Sequence, residues 1–150
     1  MPLVGVVMGN KSDEPLMQPA LDVLNELGIE YEVCVISAHR MPEKAREYGK
    51  NSRKKGLEVV IAGAGGAAHL AGVIASWTTI PVIGVPLERG QLKGLDALLS
   101  VVQMPAGVPV ACVAIGGAKN AALLAAQILG LKHEGIRRAY EGYRRELSES

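Results

Sequence analysis

The stretch YEVCVISAHRMPEK (31–44) decides the fold, because an apolar run changes within it into a polar segment and then into the start of a helix. The β-branched residues up to Ser37 are typical of a buried strand. Pro42 is typical of the first turn of a helix. The sequence therefore predicts a strand, a short polar loop and a helix in succession, which is the basic unit of an α/β protein.

Four further apolar runs share the composition of this strand: LVGVVM (3–8), EVVIAG (58–63), PVIGVP (81–86) and VPVACVAIG (108–116). Helical patterns lie between or after the runs: PLMQPALDVLNELG (15–28), PEKAREYGKNSRKKG (42–56), AAHLAGVIASW (67–77) and NAALLAAQILGL (120–131). Continuous apolar runs are typical of parallel strands covered on both faces. We therefore predict a single flavodoxin-like domain over residues 1–150, with a three-layer α/β/α architecture and about five parallel strands.

Composition excludes several classes of function. The chain has 150 residues and a formal net charge of +1, which gives no electrostatic case for binding nucleic acid or an anionic membrane. No apolar run reaches the roughly 18 residues of a membrane span. Cys34 and Cys112 lie in apolar runs without CxxC spacing, and the N-terminal residues lack the features of a signal peptide. We expect reduced thiols in a cytoplasmic protein.

Glycine and polar residues follow every predicted strand: GNKSD (9–13), SAHR (37–40), GAGGAAHL (63–70), PLERGQLKG (86–94) and IGGAKN (115–120). Ligands of open parallel sheets bind beyond the carboxyl ends of the strands. The turns at the opposite edge, such as ELGIE (26–30) and KKGLE (54–58), show no comparable pattern. This asymmetry predicts a functional site at the carboxyl edge.

The segment GNKSD combines a turn glycine with a predicted helix start. Free amides at a helix N-terminus favour an anion such as phosphate. Ser12 or Asp13 would cap the helix in a purely structural interpretation, and Asp13 could also accept hydrogen bonds from ribose hydroxyls. The segment lacks the GxxxxGK[ST] pattern of a P-loop.

The segments GAGGAAHL and SAHR carry the remaining candidates. GAGGAAHL resembles a dinucleotide fingerprint, but it follows the third strand and no acidic residue closes a strand about 20 residues later. His69 is therefore either a helix-start residue or a ligand contact. In SAHR, the imidazole of His39 can deliver and remove a proton, and Arg40 offers donors suited to phosphate or carboxylate. A structural role for His39 stays open. The three histidines lack metal-ligand spacing, so no metal is expected.

Two predicted helices, 67–77 and 120–131, are apolar almost all the way round. An outer helix of this kind needs a further covering surface, most simply another copy of the chain. A final helix over 133–147 has an apolar stripe formed by Ile136, Tyr140, Tyr143 and Leu147. It could pack on its own domain or on a neighbour. We predict a homo-oligomer in which this C-terminal helix packs on a neighbouring subunit.

Taken together, SAHR, GAGGAAHL, GLDALLSVVQMPAGVPVACVAIG (94–116) and NAALLAAQIL (120–129) closely resemble one family, class I 5-(carboxyamino)imidazole ribonucleotide mutase of de novo purine biosynthesis. The resemblance extends from Val4 to about Leu131. It implies a ribonucleotide substrate, a homo-octamer with sites at subunit junctions, and neither metal nor organic cofactor. It leaves open a functional link to the ATP-dependent synthetase that forms the carboxyamino substrate.

The resemblance also implies residue roles. The reaction moves a carboxylate from an exocyclic nitrogen to a ring carbon through released carbon dioxide, and His39 matches the family's acid/base histidine. Arg40, Ser12 and Asp13 match contacts to phosphate and ribose, whereas His69 and the backbone of residues 63–66 match a carboxylate pocket. The predicted substrate-binding set is Gly9, Asn10, Ser12, Asp13, Ser37, Ala38, Arg40, Gly65, Gly66, Ala67, His69 and Leu70.

Three positions depart from the family pattern, which usually has Ser, Thr and Pro at Asn10, Met41 and Ala71. The nearest alternative is the related class II carboxylase, which acts on aminoimidazole ribonucleotide with free carbon dioxide. Its members usually carry Lys after SAH and lack GAGGAAH. A noncatalytic flavodoxin-like binding module is a more remote alternative. A flavin carrier of that type would use aromatic rings, and the chain has no Phe and only one Trp.

Overall fold

A computed structural model describes residues 1–150 and contains one parallel sheet of five strands in the order β2–β1–β3–β4–β5. The strands are β1 (Val4–Met8), β2 (Tyr31–Val35), β3 (Val59–Gly65), β4 (Val82–Leu87) and β5 (Ala111–Cys112). This is the flavodoxin-like order of a doubly wound sheet, in which the direction of strand addition reverses between β1 and β3. The predicted fold is confirmed.

The chain has six α-helices: α1 (Glu14–Glu26), α2 (Pro42–Asn51), α3 (Leu70–Trp77), α4 (Leu95–Val102), α5 (Ala118–Gly130) and α6 (Glu134–Glu149). A short 3-10 helix at Lys11–Asp13 precedes α1. Alternate side chains of each strand face opposite layers. Val4, Val6 and Met8 therefore join a core of 20 buried residues with α1 and α5. On the other face, Val7 joins a core of 13 buried residues with α2 and α3.

The end of the chain differs from the sequence prediction in two elements. The predicted strand over 108–116 pairs with β4 only at Ala111–Cys112. Pro109 and two consecutive glycines, Gly116 and Gly117, interrupt the run and favour irregular backbone. Helix α4 was not predicted as an element, although its residues belong to the motif 94–116. It packs beside β4 and β5, where Gly84 leaves room for the side chain of Val101.

Helix α6 packs on α5 of its own chain, through Ile136, Ala139, Tyr140 and Tyr143. Of the two predicted alternatives for this helix, the single chain therefore shows packing on its own domain. Packing of α6 on a neighbouring subunit stays a prediction. Helix α5 also contacts α1, so its apolar circumference is largely covered within one chain. The expectation that α5 needs a second copy for cover is wrong for this reason.

Five of the eleven exposed large apolar side chains lie on or beside α4. Their exposed fractions lie between 39 and 61% for Leu92, Leu95, Leu99, Val102 and Ile115. Leu95 and Leu99 are one helical turn apart, so both lie on the outer face of α4. We call these five residues the α4 patch. No helix is both long enough and apolar enough to cross a membrane.

Both cysteines are free thiols in partly buried positions. Burial raises the pKa of the Cys34 thiol, and the nearby Glu32 charge raises it further against the opposing charges of Lys55 and Lys44. Burial alone raises the pKa of Cys112. A thiol with a raised pKa forms less of the reactive thiolate, so both side chains act as small apolar groups.

Candidate active site

The loops after β1, β2, β3 and β4 meet at the carboxyl edge of the sheet. Met8 pairs with both Val35 and Gly63, so the first three loops begin side by side. Gly65 pairs with Leu87, which brings the loop after β4 next to them. Together they enclose a cavity of about 240 Å³ at the point where the strand order reverses. This is the position that the fold favours for a ligand.

Eleven of the thirteen residues predicted for the site line this cavity: Gly9, Asn10, Asp13, Ser37, Ala38, His39, Arg40, Gly65, Ala67, His69 and Leu70. Ser12 and Gly66 lie beside the cavity and do not line it. Two lining residues, Ala64 and Arg89, were not among the thirteen. Most residues predicted from the sequence therefore lie at one cavity, but the charged residue Arg89 was not predicted.

Two imidazoles are in direct contact at the mouth of the cavity. Nε2 of His39 and Nδ1 of His69 are 2.7 Å apart, and the rings are nearly perpendicular at 87°. One of these nitrogens must carry the hydrogen and the other must accept it. One hydrogen bond therefore joins the two side chains, and both are exposed on the surface of the single chain. This geometry suits a histidine that gives and takes a proton.

Local hydrogen bonds fix the backbone at both histidines. After β2, the amide of Met41 donates to the carbonyl of Ser37 at 2.7 Å, and the amide of Arg40 donates to Ser37 Oγ at 3.2 Å. His69 precedes the first residue of α3, and its carbonyl accepts from the amide of Val73 at 2.9 Å. His69 is thus a helix-start residue that also contacts His39, and its role as a ligand contact stays a prediction.

The turn after β1 is closed by Asn10. Its Oδ1 accepts from the amide of Ser12 at 2.9 Å and from Ser12 Oγ at 3.0 Å. Asn10 caps the 3-10 turn in this way. Asp13, one of the two predicted cap residues, occupies the N-cap position of α1, but its side chain makes no capping hydrogen bond. The amides of Gly9 and Asp13 also have backbone acceptors, at 3.0 and 2.9 Å. The amides of Gly9, Ser12 and Asp13 are therefore not free, and an anion bound here would also need donors from side chains.

Two guanidinium groups are available to supply such donors. Arg40 is exposed, and its guanidinium makes no hydrogen bond or ion pair with the protein. Arg89 lies in the loop after β4, and its Nη2 donates to the carboxylate of Asp13. That carboxylate is almost fully buried, with 1% of its side-chain surface exposed. The signal for Arg89 in the sequence was its position in the carboxyl-edge segment PLERGQLKG.

Three glycines of the loop after β3 meet three different requirements. A side chain at Gly63 would displace the end of the Met17 side chain, which packs against this glycine. A Cβ at Gly65 would lie 3.0 Å from Arg89 Cβ and 3.2 Å from Arg89 Nε. Gly66 has a φ of +64°, which L side chains rarely adopt. The loop can therefore approach a ligand closely through its backbone.

The arrangement combines a hydrogen-bonded imidazole pair, a free guanidinium and a glycine loop. It can bind an anionic group and move one proton to or from it. No group of three or more His, Cys, Asp or Glu side chains is placed to hold a metal ion.

Comparisons with known proteins give matches over almost the whole chain. The sequence model described as AIR carboxylase matches residues 3–150. The N5-carboxyaminoimidazole ribonucleotide mutase of Pyrococcus horikoshii is 57% identical over 146 residues, covering 97% of this chain and 82% of that protein. The mutase of Saccharolobus solfataricus is 60% identical over 136 residues, covering 91% of this chain and 86% of that protein.

Solved structures show the same fold. The crystal structure of Treponema denticola PurE superposes with a TM-score of 0.88 at 30% identity and covers 99% of this chain and 93% of that chain. A single-residue variant of the PurE2 protein of the same organism superposes with a TM-score of 0.90 at 29% identity and covers 99% and 92%. The matches in sequence span almost the whole length of the chain and include all the loops that form the cavity. The chain therefore belongs to the AIR carboxylase family.

Proposed function

We propose that the chain is an N5-carboxyaminoimidazole ribonucleotide mutase of de novo purine biosynthesis, acting as one catalytic domain over residues 1–150. The observation that carries the proposal is the His39–His69 pair, held beside Arg40 and the glycine loop in one cavity. Relatives that share 55 to 60% of their residues with this chain have this activity in their names. The proposal assigns an isomerisation, in which the substrate supplies its own carboxylate.

Substrate binding depends on the charged groups of the cavity. Arg40 has no protein partner, so its guanidinium can bind the phosphate of the ribonucleotide with two parallel hydrogen bonds. Asp13 uses Oδ1 for Arg89 and has Oδ2 left to accept from a ribose hydroxyl. Gly9, Asn10 and Ser12 form the turn against which the sugar-phosphate lies, while Ser37 and Ala38 line the cavity beside His39.

The reaction requires one proton to be given and one to be taken. Protonation of the carbamate nitrogen by His39 breaks the bond from nitrogen to carbon and releases carbon dioxide with the neutral amine. The ring carbon then attacks carbon dioxide, and His39 removes the proton from that carbon to restore the aromatic ring. No proton is gained or lost overall. A positioned acid/base group of this kind contributes about 10²–10⁴ in rate.

His69 and the glycine loop serve the carboxylate. The hydrogen bond between His69 Nδ1 and His39 Nε2, 2.7 Å long, orients the His39 ring. The backbone from Gly65 to Ala67, with Gly66 at its turn and Leu70 behind it, leaves space for a small group close to both rings. Holding carbon dioxide next to the ring carbon makes its recapture an effectively unimolecular step.

An oligomer is part of the proposal. His39 and His69 are exposed in one chain, whereas recapture of a gas needs a closed site. A neighbouring subunit could cover them, and the α4 patch provides an apolar surface for association. We therefore retain the homo-octamer with sites at subunit junctions. A measurement of molar mass in solution tests it, and a monomer would contradict it.

Cytoplasmic location and a functional link to the ATP-dependent synthetase complete the proposal. The two free cysteines support a reducing compartment. A coupled assay tests the link: synthetase and mutase together should give more product than the same enzymes separated by a membrane permeable to small molecules. Equal yields would contradict a link.

The deciding experiment supplies the purified protein with N5-carboxyaminoimidazole ribonucleotide in buffer freed of bicarbonate. We expect conversion to the carbon-carboxylated isomer. The class II alternative predicts the opposite: no isomerisation, and turnover of aminoimidazole ribonucleotide only when bicarbonate is added. Arg40 and the intact GAGGAAH sequence favour the mutase.

A further inference from the structure

Arg89 connects two loops of the cavity through a single nitrogen. Its Nη2 donates to the carboxylate of Asp13 and to Ser12 Oγ, the latter at 3.3 Å. Arg89 and Asp13 are separated by 76 positions in the sequence. The guanidinium is held over Gly65, which has no side chain to displace it. It lines the same cavity as His39 and Arg40.

Asp13 depends on Arg89 for charge compensation. The Asp13 side chain is 1% exposed, and Arg89 is the only basic side chain within ion-pair distance of it. A buried carboxylate without a partner is costly, because burial removes its hydration. The turn itself gives no relief, since the amides of Ser12 and Asp13 already donate to Asn10.

The charge of the substrate makes this compensation matter for binding. A ribonucleotide brings a phosphate, and the proposed substrate brings a carboxylate as well. An uncompensated carboxylate in a cavity of about 240 Å³ would repel both groups. With Arg89 in place, Asp13 can accept from a hydroxyl without adding a net negative charge to the site.

We propose that Arg89 is a positioning residue that neutralises Asp13 and so allows the cavity to bind an anionic sugar-phosphate. This inference rests on the proposed function and extends it to a residue of the loop after β4. Arg89 acts on binding through Asp13 and takes no part in the proton transfer. A simple structural tie between the two loops is the competing explanation.

Titration calorimetry with ribose 5-phosphate as the probe separates these explanations. Four proteins are compared: the wild type, Arg89→Met, Asp13→Asn and the double variant. We expect Arg89→Met to weaken binding about tenfold, a moderate value because the guanidinium is partly exposed. In the Asp13→Asn background the same change should cost less than about threefold, because no buried carboxylate is left uncompensated.

Two further variants sharpen the test. Arg89→Lys should recover most of the affinity, since one terminal nitrogen makes both contacts and keeps the charge. Arg46→Met is the matched control: Arg46 pairs with Glu43 on α2 and does not line the cavity. It should bind the probe as the wild type does. In the mutase assay, Arg89→Met should raise KM about tenfold and leave kcat within about twofold.

Four results would overturn the inference. In the binding experiment they are an equal loss of affinity in the wild-type and Asp13→Asn backgrounds, a loss of affinity that parallels a loss of thermal stability, and a wild type that does not bind ribose 5-phosphate. In the mutase assay it is a fall in kcat at unchanged KM for Arg89→Met. The binding experiment needs no turnover. If the pattern appears but the wild type fails to isomerise N5-carboxyaminoimidazole ribonucleotide, the proposed function fails and the role of Arg89 stands. If the wild type turns over without the pattern, the proposed function stands and the role of Arg89 fails.

Discussion

Polar side chains at the two edges of the sheet are bonded very differently. At the amino edge, Glu58 accepts from Lys132 at 3.1 Å and is 3.0 Å from His133 Nε2. Glu32 accepts from Tyr48 at 2.8 Å and also from Lys55. At the carboxyl edge, Arg40 has no protein partner and the His39–His69 pair is exposed. The paired side chains of the amino edge stabilise the fold, whereas the unpaired Arg40 and the exposed histidine pair are available to a ligand. Changes at the two edges should therefore separate activity from stability.

The largest expected effect is on turnover. Replacing His39 with Asn should lower kcat by about 10²–10⁴, because the acid/base group is removed. His133→Asn makes the same change at the amino edge and serves as the control, with turnover unchanged. Steady-state kinetics and thermal unfolding of both variants provide the measurement. A His39→Asn enzyme with more than about a tenth of the wild-type rate would remove this residue from the proton transfer.

The next effect is on substrate binding. Arg40→Ala should raise KM about 10–100-fold with little change in kcat, because charge-assisted hydrogen bonds to phosphate contribute about 1.5–3 kcal/mol. Arg53→Ala is the matched control, since Arg53 donates to Thr79 near the opposite edge. Inhibition by the ribonucleotide and by its riboside should be compared in the wild type. Equal inhibition by the two compounds argues against a phosphate contact at Arg40.

A smaller effect, on stability alone, is expected at Tyr48. Burial raises the pKa of this phenol, and the hydrogen bond to Glu32 and the Glu32 charge raise it further, so the hydroxyl stays protonated as a donor. Tyr48→Phe should lower the free energy of unfolding by about 1 kcal/mol in urea titrations. Turnover should not change, and a loss of activity at full stability would show that the two edges are not independent.

The smallest effect concerns the pH dependence of stability at Glu58. Burial acts to raise the pKa of Glu58, but hydrogen bonds and charges from His133 and Lys132 outweigh it, so the pKa is lowered. The resulting stabilisation is fully present above the ordinary glutamate pKa of about 4.3 and is lost as pH falls through the lowered value. Glu58→Gln should cost at most about 1 kcal/mol at neutral pH.

Urea titrations at several pH values check this expectation. The wild type and Glu58→Gln should converge in stability under acidic conditions, below the lowered pKa of the native carboxyl. If the difference in the free energy of unfolding between the two proteins stays the same in this pH range, it arises from packing and not from the charge of Glu58.

The sequence predicted the centre of the molecule better than its periphery. β1 and β4 are completely buried, and the β-branched residues in their continuous apolar runs identify them as strands. β5 has only two paired residues, and its apolar neighbours lie in irregular backbone. Helix α4 was hidden within a motif, because a short apolar segment shows no clear choice between helix and strand.

The same division applies to the site. His39 and His69 follow two strands that end at the same edge, so the topology predicts that they are near each other, but it does not predict a contact of 2.7 Å. Arg89 was missed because its partner Asp13 is 76 positions away. Nothing in the segment PLERGQLKG distinguishes Arg89 from Glu88 or Lys93. Side-chain pairing across loops is a tertiary property, which local patterns do not contain.

The α4 patch begins directly after the loop that carries Arg89, since Leu92 and Leu95 are only a few positions further along the chain. A protein surface that covers Leu95 and Leu99 would also restrain the backbone of the loop that carries Arg89. Dilution of the protein would then reduce its affinity for sugar-phosphates before any helix unfolds. Because the apolar α4 patch adjoins the loop that carries Arg89, specific activity should rise with protein concentration.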